Sequence, residues 1–570
     1  MKLQISARIK IILIIYLIFI SSTIVFGFNL AHFKTLKVDS PISWVLLTLL
    51  VLMLCFIIQH LIVKVNNRIK LTARSRPGIL QNRFRALLCR PRSCFLLALI
   101  FLLTWIPYFI ACYPGLFVYD AFTQTHYSIG LGTINSFHPL AHTYLMSFCI
   151  QLGEALFNSQ TIGFGCYTFV QMIVMSFFLS LTVRAIFKLS NSCSICIATI
   201  LLFALHPVFP ILAISATKDS IFSAAFCCSV SEYIVVLFNQ KTSNAGKMSL
   251  GISLFTVGLF RNNGYYVALL AVLALAIIKH ADYKTYFSFI IALALALILF
   301  CQIIPSKISA QQSNVAEILG VPIQQLCRVI TNESNTLSDE EVEDIESLIP
   351  TWNYYNPKIT DPVKFSGNTT SLISDNINQF LNTWLRVGYN HKRTYLDAFA
   401  LITEGYWNPF FEYSASDVTK AYLEFDPWHY DGNGSAYRDQ DTNSEFYPIE
   451  AKSEWIFIDS EHLWPDFENL VHRFCYNHPW DKIPMVSLVT SSWASIAALL
   501  AAICLSFIFQ KRSLMIGLIA LPLAYYATSL LGPCFLVRYA TPFFAITPVL
   551  LGTNIRLLRD HINMERNLAE

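Results

Sequence analysis

Charged residues are scarce in this chain of 570 residues: Asp, Glu, Lys and Arg together make up 13% of it, while 55% is hydrophobic. Soluble globular proteins carry about 25% charged residues. The mean hydropathy of +0.51 points the same way. The composition therefore argues against a soluble enzyme, a disordered protein and a nucleic-acid binder, and it predicts an integral membrane protein.

Two parts of the chain lack particular residue types. Residues 113–161 contain no Lys or Arg, and residues 305–487 contain only two cysteines, too few to indicate a disulfide framework. Residues 305–487, called the insert below, hold 12 basic and 27 acidic residues, a net charge of −15, whereas the remainder holds 28 and 9, a net charge of +19. This split predicts a basic, membrane-embedded body and an acidic aqueous domain of mixed helix and loop.

Apolar stretches predict the fold class, an all-α polytopic membrane protein. A transmembrane helix needs about 20 mostly apolar residues. Twelve stretches are predicted to span, at roughly 10–28, 42–63, 94–112, 162–183, 193–213, 220–238, 248–260, 265–279, 285–304, 488–509, 513–531 and 539–555. The stretches 248–260 and 265–279 are short, so they are either two spans with polar ends or one broken hairpin.

Basic residues predict the orientation, because Lys and Arg are enriched in cytoplasmic loops. Loop 64–93 has nine basic residues and no acid, which places it inside. By alternation both termini are then cytoplasmic, and loop 113–161 and the insert lie outside. The stretch 137–157 is predicted to be a helix at the outer interface, because counting it as a span would invert everything after it. The predicted domains are 1–93, 94–304, 305–487 and 488–570.

Ionisable residues at span ends are costly, so they are candidates for function. The first lies in Tyr113-Pro-Gly-Leu-Phe-Val-Tyr119-Asp120, after the third predicted span. Asp120 is the only carboxylate between positions 40 and 153, and it lies among apolar and aromatic residues. Such surroundings suit a general base. The alternative is that Asp120 caps the start of a helix.

Three more polar sites fall at predicted outer span ends. They are Lys218-Asp219, the sequence Arg261-Asn262-Asn263-Gly264 and the pair Arg538-Tyr539. Asp219 suits a second active-site acid, and the three cations suit a phosphate group. The alternatives are a helix cap at Lys218-Asp219, a turn with Gly264 as its C-cap, and snorkelling of Arg538 to lipid headgroups.

The order of these features resembles the GT-C superfamily of membrane glycosyltransferases. In that pattern a catalytic acid lies in the first external loop, an interfacial helix opens with His-Pro, a second acidic site follows two spans later, and a large external domain is inserted late. The corresponding features here are Asp120, His138-Pro139, Lys218-Asp219 and the insert. In detail the motifs, including Val321-Pro-Ile-Gln-Gln, are most similar to an uncharacterised bacterial family of multi-pass proteins with this plan, over about 94–540.

The resemblance implies an enzyme of the bacterial plasma membrane. It would transfer a sugar from a polyprenyl-phosphate-linked donor to a cell-envelope glycan or glycolipid acceptor on the outer face, with inversion and without a cofactor. Asp120 would be the general base, and Asp219 would assist it or orient other groups. The implied substrate-binding residues are Tyr119, Gln124, His126, His138, Lys218, Arg261, Asn262, Asn263, Arg538 and Tyr539.

The sequence departs from some branches of the superfamily. Asp120 is followed by Ala121, where some branches have a paired Asp-Glu. The sequence Lys218-Asp219-Ser220 differs from the Asp-x-Asp metal site of the oligosaccharyltransferase branch, so the motif does not indicate a divalent metal, although it leaves one open.

Two other functions stay open on the sequence alone: a transporter or flippase of lipid-linked glycans, and a non-catalytic membrane scaffold. A transporter is expected to have charged groups at mid-span and broken helices in two repeated halves, whereas here the polar groups gather at span ends. If the protein were a scaffold, Asp120 and Lys218-Asp219 would have no role other than to cap helices. The sequence therefore favours the glycosyltransferase.

The predicted orientation has a direct test. A cysteine placed at Ser128, in the loop without basic residues, is expected to react with a membrane-impermeant thiol reagent added from outside, after correction for the native cysteines. Labelling from the cytoplasmic side alone would overturn the orientation.

Overall fold

The computed structural model describes residues 7–37, 79–116, 138–239, 243–279, 283–308, 318–365, 367–411, 463–477 and 491–569, with the single residues and short segments 42, 45–50, 53–54, 57, 121, 124–125, 429–430, 436–437 and 483 between them. Helices make up nearly all of these ranges. The strands described are one antiparallel pair, His429–Tyr430 and Ala436–Tyr437.

The described part of the helical body up to Ile308 contains twelve helices with defined bounds. They are α1 (Ala7–Phe33), α2 (Ile79–Cys89), α3 (Ser93–Ala111), α4 (Leu140–Phe157), α5 (Gln160–Ser190), α6 (Cys193–Leu205), α7 (Val208–Ile214), α8 (Lys218–Phe238), α9 (Asn244–Phe260), α10 (Asn262–Ile278), α11 (Tyr283–Ile298) and α12 (Ile304–Ile308), the last two joined by a π-helical turn at Leu299–Ile303.

The insert and the C-terminal region contain the remaining helices. Those of the insert are α13 (Gly320–Glu333), α14 (Asp339–Leu348), α15 (Asp361–Phe365), α16 (Thr369–Asp375), α17 (Ile377–Asn390), α18 (Lys392–Trp407) and α19 (Pro465–Asn477), with 3-10 turns at Ser334–Thr336 and Trp352–Tyr354. Those of the C-terminal region are α20 (Ser492–Ile508), α21 (Arg512–Leu518), α22 (Ala524–Ser529) and α23 (Val537–Ala569), with a π-helical turn at Ile519–Leu523.

The protein is an α-helical, multi-pass membrane protein. Among the described residues six helices are long and apolar enough to cross a bilayer, and a seventh span is possible if α6 and α7, which meet at a bend of 49°, count as one. The six are Ile11–Phe33, Ser93–Ala111, Gln160–Ser190, Lys218–Phe238, Phe287–Ile308 and Val537–Met564.

The lengths and hydropathies of the described helices do not support the predicted count of twelve spans. Helices α9, α10 and α20 each have 17 residues, a rise of about 26 Å, which is less than the roughly 30 Å of a hydrocarbon core. The predicted span 513–531 is interrupted by the π-helical turn that contains Pro522. The predicted span 42–63 lies largely outside the described residues.

The helix ends fall into two groups at opposite ends of the helical body. At one, called the basic end, Arg559 Nη1 donates a hydrogen bond to the carbonyl of Ser190 (2.8 Å). At the same end Lys279 Nζ donates to the carbonyl of Asn239 (3.0 Å), so α10 finishes where α8 finishes. The loops gathered here are those that the sequence places together on the basic side.

The opposite end, called the site end, carries the loops with the candidate residues. The amide of Leu116 donates to the carbonyl of Ile214 (2.8 Å), which joins the end of α3 to the end of α7. The amide of Thr360 in the insert donates to the carbonyl of Pro533, before α23 (3.0 Å). The insert therefore packs over the site end.

Helix α8 lies at the centre of the body. Of its most apolar 18 residues, 89% are buried, and it packs against α5, α9 and α23. It is rich in small residues, Ser, Ala and Cys, which let neighbouring helices approach closely. Its first residues are Lys218 and Asp219, so the most buried of the six candidate spans begins at one of the candidate motifs.

Helix α4 corresponds to the predicted interfacial stretch 137–157, and it is not among the candidate spans. It turns back at Asn158, which has a left-handed backbone, and packs against the start of α5. A Cβ atom at Gly153 would lie 2.3 Å from the backbone of Gly163, so both glycines are needed for this close approach.

The N-terminal helix α1 reaches the insert. Its C-terminal extension is fixed by Asp397 of α18, whose carboxylate accepts hydrogen bonds from the Thr35 hydroxyl (2.8 Å) and the Leu36 amide (2.8 Å). Asn408, just after α18, donates to the carbonyl of Gly27 (3.1 Å). Residues 27–36 therefore hold one side of the insert.

Removing Asp397 tests this attachment. Asp397 is buried, so Asp397→Ala leaves two donors without their acceptor, and we expect a loss of about 1–3 kcal/mol in the free energy of unfolding. Asp375→Ala, at an exposed carboxylate of the same insert, is the matched control and is expected to change it by less than about 0.5 kcal/mol. Thermal unfolding in detergent measures both, and equal midpoints would contradict the attachment.

Candidate functional site

The site end is organised around the first turn of α8. Thr217 has an extended backbone (φ −141°, ψ 141°) and is the N-cap of this helix, because its hydroxyl accepts a hydrogen bond from the Asp219 amide (3.4 Å). The same hydroxyl donates to Asp219 Oδ2 (3.3 Å). The cap is thus Thr217, and the negative charge of Asp219 lies in the first turn, where the helix dipole favours it.

Asp219 is completely buried and is held by two arginines. Arg261 Nη1 donates to Asp219 Oδ1, and Arg538 Nε lies 3.5 Å from Asp219 Oδ2. Arg261 comes from the junction of α9 and α10, and Arg538 from the first turn of α23. One carboxylate thus joins three helix termini, and these three side chains keep a net charge of +1.

Aromatic rings frame the two guanidinium groups. Arg261 Cζ lies 4.5 Å from the centre of the Tyr539 ring and 5.3 Å from that of Phe222. Arg538 Cζ lies 5.2 Å from the same Tyr539 ring, and Arg538 Nη2 donates to the Tyr539 hydroxyl (3.4 Å). The Tyr525 ring packs against Phe222 at 5.2 Å. Cation–π contacts of this kind stabilise the positive charges where water is scarce.

The predicted sequence Arg261-Asn262-Asn263-Gly264 joins two helices through a single residue. Arg261 is extended (φ −155°, ψ 131°), and Asn262 already begins α10. Asn263 Nδ2 donates to Thr528 Oγ1 of α22 (3.1 Å). Gly264 lies inside α10, where a Cβ atom would come within 2.4 Å of the Val257 carbonyl, so it permits close packing of α9 on α10 and is not a C-cap.

The His-Pro motif meets Lys218. His138 is buried, and its Nδ1 lies 3.1 Å from Lys218 Nζ. Pro139 follows as the first residue before α4. The structure therefore brings the His138-Pro139 and Lys218-Asp219 motifs into direct contact. Lys218, the residue before Asp219, adds a third cation to Arg261 and Arg538 at this site.

The described parts of the first motif also reach this site. The amide of Ala216 donates to the carbonyl of Leu116 (2.9 Å), which pairs the segment before Phe117 with the corner that precedes α8. Ala121 is buried in a small cluster that includes Met146, Tyr167 and Ala216. Tyr119, Asp120 and His126 lie outside the described residues, so their roles stay predictions.

The surroundings of Gln124 differ from those expected of a substrate-binding residue at a surface. It is completely buried, its Nε2 donates to Thr143 Oγ1 (3.0 Å), and its Oε1 lies 2.9 Å from His142 Nδ1. Protein atoms thus engage both ends of the amide. The side chain is built into the packing between the first motif and α4.

Several residues of this region have no assigned role in the sequence-based hypothesis. They are Thr217, Phe222 and Tyr525 around Asp219, and His142, Tyr167 and Gln171 behind the first motif. One signal was available for the second group, because a glutamine and a tyrosine four residues apart in an apolar span are costly unless they are paired.

Comparison with known proteins places the chain in a family. A model for a family of unknown function, DUF6020, matches residues 126–567. The chain belongs to the DUF6020 family. The matched region includes Lys218, Asp219, Arg261 and Arg538, and it begins six residues after Asp120. No curated protein and no solved structure matches the chain.

The arrangement predicts that Asp219 is essential for stability in this DUF6020 protein. Asp219→Ala leaves the buried Arg538 and the largely buried Arg261 without their counter-charge, and we expect a loss of about 3–5 kcal/mol in the free energy of unfolding. The matched control is Asp560→Ala, which removes a half-exposed carboxylate 2.8 Å from Arg556 and is expected to cost less than about 1 kcal/mol. Thermal unfolding in detergent compares them, and similar midpoints would show that the two arginines do not depend on Asp219.

Proposed function

We propose that this protein is a membrane glycosyltransferase of the GT-C type. It transfers a sugar from a polyprenyl-phosphate-linked donor to a cell-envelope glycan or glycolipid acceptor, with inversion at the anomeric carbon and without a cofactor. The observation that carries the proposal is the buried cationic cluster of Arg261, Arg538 and Asp219, which lies next to Lys218 at the site end.

The charge of this cluster favours a phosphorylated ligand. Asp219 offsets one of the two guanidinium charges, and Lys218 adds another positive charge. An anion that approaches the cluster therefore meets a net positive charge in a setting where water is largely excluded. Guanidinium groups match the oxygens of a phosphate in a paired geometry. Asp219 acts here as an orienting residue, because both guanidinium groups are bound to it.

The first motif supplies the base in this proposal. The carboxylate of Asp120 takes the proton of the acceptor hydroxyl, and the acceptor oxygen then attacks the anomeric carbon of the donor sugar. The bond between that carbon and the phosphate oxygen breaks, and its electron pair leaves with the polyprenyl phosphate. Arg261, Arg538 and Lys218 stabilise the negative charge that develops on this leaving group.

The proposal places the site end and the insert outside the cell. The basic end carries the loops rich in Lys and Arg, and such loops are enriched on the cytoplasmic side. The proposal counts six further crossings beside the six candidate helices: α9, α10, α20, the bent pair α6–α7, the stretch 513–531 and the predicted span 42–63. The chain then passes the membrane twelve times and both termini are cytoplasmic. The contact of Lys279 with Asn239 supports this for α10, which finishes level with the candidate span α8.

The main alternative is a flippase for lipid-linked glycans. Transport requires a polar site that opens to both sides. Here the cationic cluster lies at the first turn of α8, and the remainder of that helix is buried on nearly all sides. This placement favours chemistry at one surface over passage through the body. A non-catalytic scaffold would give no reason for two arginines around one buried carboxylate with a lysine at the preceding residue.

The test is Asp120→Asn, measured as sugar transfer from a polyprenyl-phosphate donor by the purified protein. We expect normal expression and membrane insertion and a loss of transfer, because an amide cannot accept the acceptor proton. Asp375→Asn, at an exposed carboxylate of the insert, is the matched control and is expected to keep full activity. Normal transfer by Asp120→Asn would rule out Asp120 as the base, and absence of transfer by the wild-type protein from every such donor would overturn the proposed function.

A further inference from the structure

A buried chain of hydrogen bonds runs behind the candidate site. His142 Nδ1 lies 2.9 Å from Gln124 Oε1, and His142 Nε2 lies 2.7 Å from the Tyr167 hydroxyl. The Tyr167 hydroxyl lies 2.7 Å from Gln171 Oε1. All four side chains are completely buried. We call this set, Gln124, His142, Tyr167 and Gln171, the positioning chain.

The positioning chain ends on the backbone at the corner before α8. Gln171 Nε2 donates to the carbonyls of Ala213 (2.9 Å) and Ser215 (2.6 Å). The carbonyl of Ser215 also accepts from the Thr217 amide (2.8 Å). Gln171 thus holds the backbone that leads into the Thr217 cap, and with it the first turn that carries Asp219.

The donor and the acceptor of each hydrogen bond can be assigned by starting from Gln171. A carbonyl oxygen only accepts, so the nitrogen of the Gln171 amide must face the two carbonyls and its Oε1 must face Tyr167. The Tyr167 hydroxyl therefore donates its one proton to Gln171. Its oxygen then accepts from His142 Nε2. At the other ring nitrogen, His142 Nδ1 donates to Gln124 Oε1, because an amide oxygen only accepts, so both ring nitrogens act as donors.

The other end of the positioning chain lies beside the first motif. Gln124 follows Ala121 by three residues, and its Nε2 is bound to Thr143 of α4 (3.0 Å). The chain therefore connects the segment that carries the proposed base with the corner that carries Asp219. The two segments are also paired directly through the backbone of Leu116.

These polar groups are costly to bury inside an apolar bundle, and the bundle could fold without them. Each buried polar group left without a partner would cost about 1–3 kcal/mol, and apolar residues at these positions would avoid that risk. A fully satisfied polar network instead fixes one arrangement of the elements it joins. Since its last acceptors are backbone carbonyls, which do not take up a proton, the network is suited to positioning and not to carrying protons away from the site.

We propose that the positioning chain fixes the segment at Gln124, just after the first motif, against the corner before α8, and so determines how these two segments approach each other. This inference rests on the proposed function for its catalytic meaning. His142, Tyr167 and Gln171 are positioning residues, and they act on the acceptor and the donor only through the segments they hold.

The test uses Tyr167→Phe, which removes the central hydroxyl and keeps the ring. The matched control is Tyr233→Phe, because Tyr233 is also buried in the body and its hydroxyl makes one hydrogen bond, to the Ala271 carbonyl (2.9 Å), away from the site. Two measurements are made on each full-length protein in detergent: hydrogen–deuterium exchange of peptides covering 113–125 and 213–217, and kcat and KM for sugar transfer from the polyprenyl-phosphate donor.

For Tyr167→Phe we expect faster exchange in both peptides and a fall in kcat of about tenfold to hundredfold, because small displacements of reacting groups are costly. The KM for the donor should stay within about twofold, since the cationic cluster is intact. Tyr233→Phe should leave all of these unchanged. Gln171→Met, which removes the donors to Ala213 and Ser215, should reproduce the effect if Tyr167→Phe is poorly expressed.

The outcomes separate this inference from the proposed function. Faster exchange in the two peptides for Tyr167→Phe alone supports the positioning chain, even if the wild-type protein transfers no sugar and the proposed function fails. Unchanged exchange and unchanged kcat would overturn the inference. Equal loosening in Tyr167→Phe and Tyr233→Phe would also overturn it, because the effect would then be general.

Discussion

The burial of one carboxylate determines much of this structure. Asp219 is completely buried at the start of the most buried candidate span, a position that is tolerable only because Arg261 and Arg538 share its charge. Each of these three residues stands at a helix terminus, so the requirement to pair the charges also fixes where α8, α10 and α23 begin relative to one another. Packing of apolar surfaces alone would not specify that register, because lipid tails are as apolar as the helices.

The other polar groups of the site end follow from that constraint. With Asp219 fixed, the extended residues before it must bring their backbone groups to partners in a region with little water. Thr217 caps the helix, Leu116 pairs with the same corner, and Gln171 binds its carbonyls. The local arrangement at the site end is therefore a result of satisfying backbone groups around a buried charge.

Sequence patterns predicted the positions of the helices better than the contacts between them. The predicted spans 94–112 and 220–238 agree within two residues with Ser93–Ala111 and Lys218–Phe238, because long apolar runs have well-defined ends. The pairing of Arg538 with Asp219 joins residues 319 positions apart, and no local pattern encodes it. The bend after His206 and the π-helical turn at Pro522 depend on packing, so apolar content alone did not distinguish them from straight spans.

The short length of α9 and α10 is linked to the position of the candidate site. Helices α9 and α10 rise about 26 Å each, less than the hydrocarbon thickness of about 30 Å, and they share one terminus at Arg261. Their other ends lie at the basic end, where Lys279 meets Asn239. The shared terminus therefore lies beside the first turn of α8, and a guanidinium group in that setting needs a counter-charge. Asp219 supplies it. Longer helices at α9 and α10 would move Arg261 away from the first turn of α8 and leave Asp219 without this partner.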